Sequence, residues 1–205
     1  MNVDELTQHL LSRGFDTEKY HCWLSINLRE EPDMNVDELT QHLLSRGFDT
    51  EKYHCWLSPE GWLTVPLHDF SGMLRGYQTY NPSAPKGHGK CPFEAKYFTY
   101  STTQCVWGLE TLNGDEKVVL IAESVFKAVA LHNAGYPALA MLGSSPGKAL
   151  LKQLKLLPFK LVAVGDNDPA GEKFARKLNG FVSPVDVDEM STENLKNFLA
   201  MKLNF

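Results

Sequence analysis

Residues 164–178 read VGDNDPAGEKFARKL, and this stretch decides the fold. The apolar run Leu161–Gly165 that leads into it has the length and composition of a buried strand. Asp166 follows at once, Asp168 stands two residues on, and Pro169 opens a helical pattern, its fixed φ suiting the first helical position. Working outward, strand and helix keep alternating. Val118–Ala122 reads as a buried strand, Val125–Asn133 as a helix ending at Gly135, and Ala138–Leu142 as a second strand. Pro146–Leu156 reads as a helix with proline near its first turn, Pro169–Leu178 as the next helix, and Val182–Val185 as a fourth strand. A last helix, capped by Ser191 or Thr192, runs to about Met201. Such alternation predicts an α/β domain, with a mainly parallel sheet flanked by helices.

In a sheet of this kind ligands gather beyond the carboxyl ends of the strands. Glu123 directly follows Val118–Ala122, and Asp166 directly follows Leu161–Gly165. Acids two apart in an extended turn can face one point, so Asp168 joins them. Carboxylates gathered there repel unless a hard cation neutralises them, and magnesium, which takes oxygen ligands and keeps several waters, suits the set. An aspartate in a strand-to-helix turn also serves as a plain helix cap, the reading that Asp168 favours when taken alone.

Before residue 117 the pattern differs. A helix near 35–46, with Leu39, Leu43 and Leu44 on its apolar side, stops at Gly47. Gly61–Pro66 and Leu74–Tyr80 read as strands joined by a turn at Asp69–Gly72. Residues 81–92, rich in Pro, Gly and Lys, read as an exposed, mobile loop, with another strand at Lys96–Tyr100. Residues 1–25 repeat letter for letter as 34–58, separated by Ile26–Asp33. Solenoid repeats drift in sequence and recur at least three times, so the repeat reads as a recent duplication or an artefact. The functional unit is then 34–205, with 1–33 as an appended segment, 34–116 as a small β-rich α+β subdomain and 117–205 as the α/β domain. One body offers one groove for such a helix. The first copy is expected to hang loose, to compete for the groove, or to dock on a neighbouring molecule in a domain-swapped dimer. Deleting 1–33 should leave fold and activity intact.

The chain has 205 residues, 43% of them hydrophobic and 22% charged, enough to build a core. No run approaches the roughly 18 apolar residues that span a bilayer. The acidic N-terminus lacks a signal-peptide pattern, so a cytoplasmic protein without a membrane partner is expected. Of the four cysteines none forms a C-x-x-C pair; reduced thiols are expected, with His21-Cys22 and His54-Cys55 in ordinary packing rather than on metal. A net charge of −5 sits badly with a nucleic-acid binder, but its distribution does not. Residues 1–33 hold most of the excess acid. Lys148, Lys152, Lys155 and Lys160 follow one another with no acid between them, and Arg75, Lys86, Lys90 and Lys96 face Glu94 alone. Local patches, more than the total, decide phosphate contact.

Three pieces carry a resemblance: LIAES (120–124), AMLGSS (140–145) and VGDNDPAGEKFARKL (164–178). Together they resemble the Toprim domain shared by bacterial-type primases, topoisomerases and some nucleases. VDVDEM (185–190) is similar to the D-x-D segment that follows in primases. GWLTVPLHDFSGMLRGYQTYNP (61–82), Ala95-Lys96-Tyr97 and Val106–Glu110 resemble the stretch before the Toprim core in bacterial and phage-type primases. The chain departs from that pattern at Ser124, where glycine is usual, and at Lys127, where aspartate is usual. It also lacks a basic residue around 102–104, and no zinc-binding template reader or helicase accompanies it.

The resemblance implies a primase-like N-terminal subdomain followed by a Toprim domain. It implies synthesis of short RNA primers on single-stranded DNA by a two-metal mechanism, with Mg2+ or Mn2+ on Glu123, Asp166, Asp168 and Asp186, and less surely Asp188. Catalysis would fall to Glu123, Asp166, Asp168 and Lys96. Arg75, Lys90, Lys96, Lys127 and Lys148 would contact phosphates, nucleotides or the single strand. Tyr77, Tyr97 and Trp107 are candidates for stacking on bases, although aromatics in strands more often fill the core. Lys127 could pair with Glu123, contact a phosphate, or weaken metal affinity. A helicase or other replication protein is an expected partner, and a bacterial host cytoplasm the expected setting if a phage encodes the chain. The alternatives are a metal-dependent Toprim nuclease and a catalytically weak module that binds nucleic acid or replication proteins. Asp166→Ala is expected to abolish either chemistry and spare the fold, because it relieves repulsion.

Overall fold

The computed structural model describes residues 34–203, His88 and Ser144 excepted. The first copy of the repeat, its linker and the swapped dimer expected from them lie outside the described residues.

The described chain begins with α1 (Val36–Ser45). The Asn35 side chain accepts the Glu38 N–H, and the Glu38 carboxylate accepts the Asn35 N–H, a reciprocal capping box. Leu39 and Leu43 are fully buried, whereas Leu44 is 54% exposed, so the apolar stripe is narrower than expected. At the other end Gly47 adopts φ +69. Its N–H reaches the Leu44 carbonyl and the Phe48 N–H reaches that of Leu43, both at 2.9 Å, a Schellman stop. Phe48 and Tyr53 then carry the chain into the core.

Four antiparallel strands follow, in spatial order β1 (Trp56–Leu57), β2 (Leu63–His68), β3 (Leu74–Tyr80) and β4 (Tyr97–Ser101). The turn expected at Asp69–Gly72 joins β2 to β3: the Asp69 carboxylate accepts the N–H groups of Ser71 and Met73, and Gly72 has φ +78. The loop at 81–92 is less exposed than expected. Pro92 is buried, and Lys96 binds the loop through Asn81 N–H to its own carbonyl and through its own N–H to Pro85.

Residues 106–107 stitch this sheet to a second one. Val106 bridges His68 of β2, while Trp107 exchanges two backbone hydrogen bonds with Ala140. The second sheet is parallel throughout, in the order β6 (Ala138–Ala140), β5 (Val118–Ala122), β7 (Lys160–Gly165), β8 (Phe181–Val182). Its helices are α2 (Val125–Asn133), α3 (Lys148–Leu154), α4 (Pro169–Lys177) and α5 (Thr192–Leu203). Three boundaries differ from expectation. Gly147 caps α3, leaving Pro146 outside the helix. β6 stops at Ala140, and Leu142 just beyond it takes φ +60, which no strand residue holds. β8 lies one residue earlier and is shorter: the Ser183 N–H makes the last ladder bond, to the Gly165 carbonyl at 2.9 Å, and Pro184 follows with no N–H to give.

The fold is thus a mixed α/β one whose larger core is shared by both sheets. Leu39, Phe48 and Leu67 from the first half pack in one cluster with Leu120, Ala122 and Phe126 from the second. Strand alternation feeds the other face: Val119 and Ile121 of β5 and Ala163 of β7 pack with Phe174 and Leu178 of α4. No helix among the described residues is long and apolar enough to cross a membrane.

Candidate acidic site at the strand ends

β5 and β7 are hydrogen-bonded parallel neighbours, with Ile121 opposite Ala163. Their carboxyl ends therefore place Glu123 and Asp166 side by side. Ser124 has extended backbone (φ −132, ψ 160), and its hydroxyl accepts the Lys127 N–H at 3.4 Å, capping α2. No glycine is needed at that position, and the serine has a structural reason to be there.

Glycine is needed at the turn after β7. A Cβ on Gly171 would sit 2.2 Å from the Asp166 carbonyl oxygen, and one on Gly165 would sit 2.1 Å from the Gly171 carbonyl oxygen. The strand end and the first turn of α4 touch backbone to backbone, which fixes where the two aspartates emerge. Asp168 is the N-cap, its Oδ1 accepting the Gly171 N–H at 2.6 Å. The plain cap reading thus holds for one of its oxygens. Asn167 ties this turn to the next acidic segment by donating to the Pro184 carbonyl at 3.1 Å. That segment brings in Asp186 and Asp188.

Lys127 stands in the middle of these acids. Its ammonium is hydrogen-bonded to Asp166 Oδ2 and lies 3.4 Å from Asp186 Oδ2, with only 12% of its side chain exposed. It pairs with these two aspartates rather than with Glu123, and it points inward rather than toward a strand on the surface. Asp166 and Asp186 hold its pKa above the ordinary lysine value against the opposing effect of burial. Asp166 is therefore balanced by a cation, so Asp166→Ala would remove the nearer partner of that ammonium, leaving it Asp186, as well as the like charge beside Glu123.

Glu123 is the acid left without a partner. Its Oε1 is buried with no hydrogen bond. Burial, then the charge of Asp166, with smaller effects of Asp168 and Asp186 and against the pull of Lys127, pushes its carboxyl up to about 7. As placed, no three acidic, histidine or cysteine side chains among the described residues are grouped closely enough to hold a metal ion. In kind, the donors do fit a hard divalent cation: all are carboxylate oxygens, and the orphaned Glu123 Oε1 calls for a positive partner.

Arg46, at the end of α1, is a residue that sequence reasoning missed. Its guanidinium donates to Asp188 Oδ2 at 2.7 Å and lies 3.7 Å from the centroid of the Phe126 ring. A basic residue beside a helix-stopping glycine reads as a partner for the helix dipole, and nothing local marks it for a site far along the chain. Lys96 shares its surroundings, with its ammonium 5.8 Å from the centroid of the same Tyr80 ring that Arg46 approaches at 5.7 Å. His42 donates to or accepts from the Tyr80 hydroxyl at 2.8 Å, and burial, Arg46 and Lys96 together lower its pKa.

The other basic candidates are placed elsewhere. Arg75 binds Asp69 at 2.8 Å across the β2–β3 turn; the Ser71 hydroxyl and Arg75 hold that aspartate well below the usual carboxylate range. Lys90 is exposed in the 81–92 loop, its N–H donating to Glu94, and Lys148 is the exposed first residue of α3. Trp107 is fully buried in the core and cannot stack on a base; Tyr77 is half-buried and Tyr97 37% exposed. Cys55 donates its thiol to the Tyr53 carbonyl at 3.3 Å, and burial pushes that thiol up to about 12, as packing rather than metal binding would have it. A cavity of about 700 Å³ opens beside Asp168, lined also by Ser145, Pro169, Lys173, Arg176 and Lys177.

Comparison with known proteins bears on the fold. Residues 120–197 match the Toprim-like family model. A DNA primase of Campylobacter jejuni is 27% identical over 130 residues, covering 62% of this chain. The match spans about a fifth of that relative's length, 21%. Among solved structures, the DnaG catalytic core superposes with a TM-score of 0.63 at 16% identity, covering 80% of this chain and 71% of that one. The primase fragment of the bacteriophage T7 primase-helicase gives 0.60 at 16%, covering 78% and 73%. The DnaG primase catalytic domain bound to single-stranded DNA gives 0.61 at 16%, covering 80% and 70%. Residues 120–197 are thus similar to the Toprim-like family, and the chain that carries them shares the fold of the DnaG catalytic core.

Proposed function

We propose that this chain is a primase-type nucleotidyltransferase that builds short RNA primers on single-stranded DNA, with 34–116 and 117–205 acting as its two subdomains. The observation that supports this most is the placement of Glu123 and Asp166 at the ends of neighbouring parallel strands, where Glu123 feels the charge of Asp166, Asp168 and Asp186. These four residues would hold magnesium or manganese. A divalent ion bound there supplies the positive charge that favours attack by a 3′-hydroxyl and departure of pyrophosphate.

The chain's own residues do the rest. Glu123, whose carboxyl is pushed up to about 7 in the absence of a cation, is the acid whose ionised form a divalent ion would favour most. Arg46 flanks the acids through Asp188 and is held in line by Phe126, and Lys96 shares the Tyr80 ring with it; both carry positive charge suited to nucleotide phosphates. Lys173, Arg176 and Lys177 line the cavity beside Asp168, where a template or triphosphate would find cations. Lys90 and Lys148 would contact the strand farther out, whereas Arg75 is engaged by Asp69 and would contribute less. A helicase is the partner this reading favours, because the T7 fragment of similar fold comes from a primase-helicase. A bacterial cytoplasm, reached by phage infection or otherwise, is the matching setting.

The test is primer synthesis on single-stranded DNA with the four ribonucleotides and magnesium or manganese. Labelled oligoribonucleotides made by the wild-type chain and lost in Asp166→Asn support the proposal. That variant keeps an acceptor for Lys127. Shortened template with no new RNA would instead indicate a nuclease, and neither product would indicate a binding module.

A further inference from the structure

We propose that the Lys127 ammonium is a resident cation of the acidic site, holding the Asp166–Asp186 side so that the chain takes one divalent ion, on the Glu123 side, and not two. This rests on the reading of the same acids as a metal site.

Charge and placement carry the inference. Five carboxylates share this region: Asp166, Asp168 and Asp186 act on Glu123, and Asp166, Asp186 and Asp188 act on Lys127. Arg46 holds Asp188, and Lys127 holds Asp166 while lying within 3.4 Å of Asp186. Two built-in cations against five ionised carboxylates leave three negative charges, with Glu123 and Asp168 the acids that have no close cation; one divalent ion brings the three down to one. A second divalent ion would exceed the charge of the acids and would have to enter where an ammonium already stands. Cations a few ångströms apart repel strongly at the dielectric of a half-buried site. The lysine is also built in rather than stray. The Ser124 cap fixes its backbone in the first turn of α2, and the side chain is only 12% exposed, with two carboxylates to satisfy it. The orphaned, buried Glu123 Oε1 marks where positive charge is still wanted.

The experiment is a manganese titration of the full chain, with free Mn2+ read by electron paramagnetic resonance. It compares wild type, Lys127→Met, which keeps the length of the side chain without its charge, and Lys127→Arg, which keeps the charge. Thermal melting of each variant in EDTA and in Mn2+ accompanies it. Expected are one Mn2+ per chain for wild type and Lys127→Arg, and two for Lys127→Met. Lys127→Met should also melt lower than wild type in EDTA and recover in Mn2+, because the ion replaces the lost ammonium. Two ions on the wild type, or on the charge-keeping Lys127→Arg, overturn the proposal. So does Lys127→Met with one ion at unchanged affinity and no recovery of melting. No Mn2+ on any variant overturns the underlying metal reading itself, and a primase that fails the activity test while binding one Mn2+ leaves the present proposal standing.

Discussion

Replacing Glu123 by glutamine should stabilise the metal-free chain, and only at high pH. The glutamate carboxyl rises from 4.5 to about 7 on folding, mainly through burial and then through Asp166. A folded pKa raised in this way means that stability is fully present below the unfolded value and is lost as pH rises through about 7. That shift corresponds to about 3 kcal/mol of cost for the ionised form at pH 8. Half-exposure lets solvent screen part of it, which brings the cost to about 1.5–2.5 kcal/mol. Glutamine never ionises, so Glu123→Gln in EDTA should melt about 3–8 °C above wild type at pH 8, and within about 1 °C of it at pH 4.5. Calorimetry or circular dichroism at the two pH values reads the effect. Adding Mn2+ should reverse the order at pH 8, because the wild type gains a ligand that the glutamine lacks. A variant that melts below wild type in EDTA at pH 8, or a gain of the same size at both pH values, would refute the reasoning about Glu123.

Further outcomes follow from the same geometry. Gly171→Ala drives a methyl to within 2.2 Å of the Asp166 backbone and should cost about 2–4 kcal/mol in denaturant titration, with loss of Mn2+ binding. Arg46→Ala breaks the Asp188 pair and the contact over Phe126; because both partners are partly exposed it should cost about 1–3 kcal/mol, with Arg46→Lys recovering only part. Leu43→Ala empties a fully buried position of α1 and should cost about 2–5 kcal/mol in a chain lacking residues 1–33. Deletion of 1–33 alone should leave melting temperature and Mn2+ binding unchanged; insoluble or unfolded protein after it would mean that the first copy is part of the body. His132, whose ring burial lowers to about 4, contributes stability above its ordinary value of 6.5 that is lost as pH falls toward 4, so His132→Gln should flatten that acid limb in a pH series of melts.

The α/β half was legible because its strands are short apolar runs that end at acids or turn residues. Val118–Ala122 and Val125–Asn133 fall where the periodicity puts them, and Pro169 opens its helix at the first position. The boundary of β6 slipped where a single backbone angle intervened, at Leu142, since such an angle leaves no mark in the hydrophobic pattern. The shared core was also hidden: Phe48, Tyr53 and Trp107 read as parts of separate segments, but their rings meet at 5.0–6.5 Å. At the site, the acids on β5 and β7 could be named from sequence because parallel strands bring their carboxyl ends together. What could not be read was which cation answers them. Lys127 lies 39 residues from Asp166, and Arg46 lies 142 residues from Asp188. Only the folded chain brings these partners together, and so only the fold shows that part of the acidic charge is already balanced.

The most direct measurement is a crystal of this chain soaked in manganese and recorded at the manganese absorption edge. An anomalous peak is expected within bonding distance of the Glu123 and Asp168 carboxylate oxygens, displaced from the Lys127 ammonium that holds Asp166. An ordered site with no peak there, or manganese found only away from these strand ends, would contradict it.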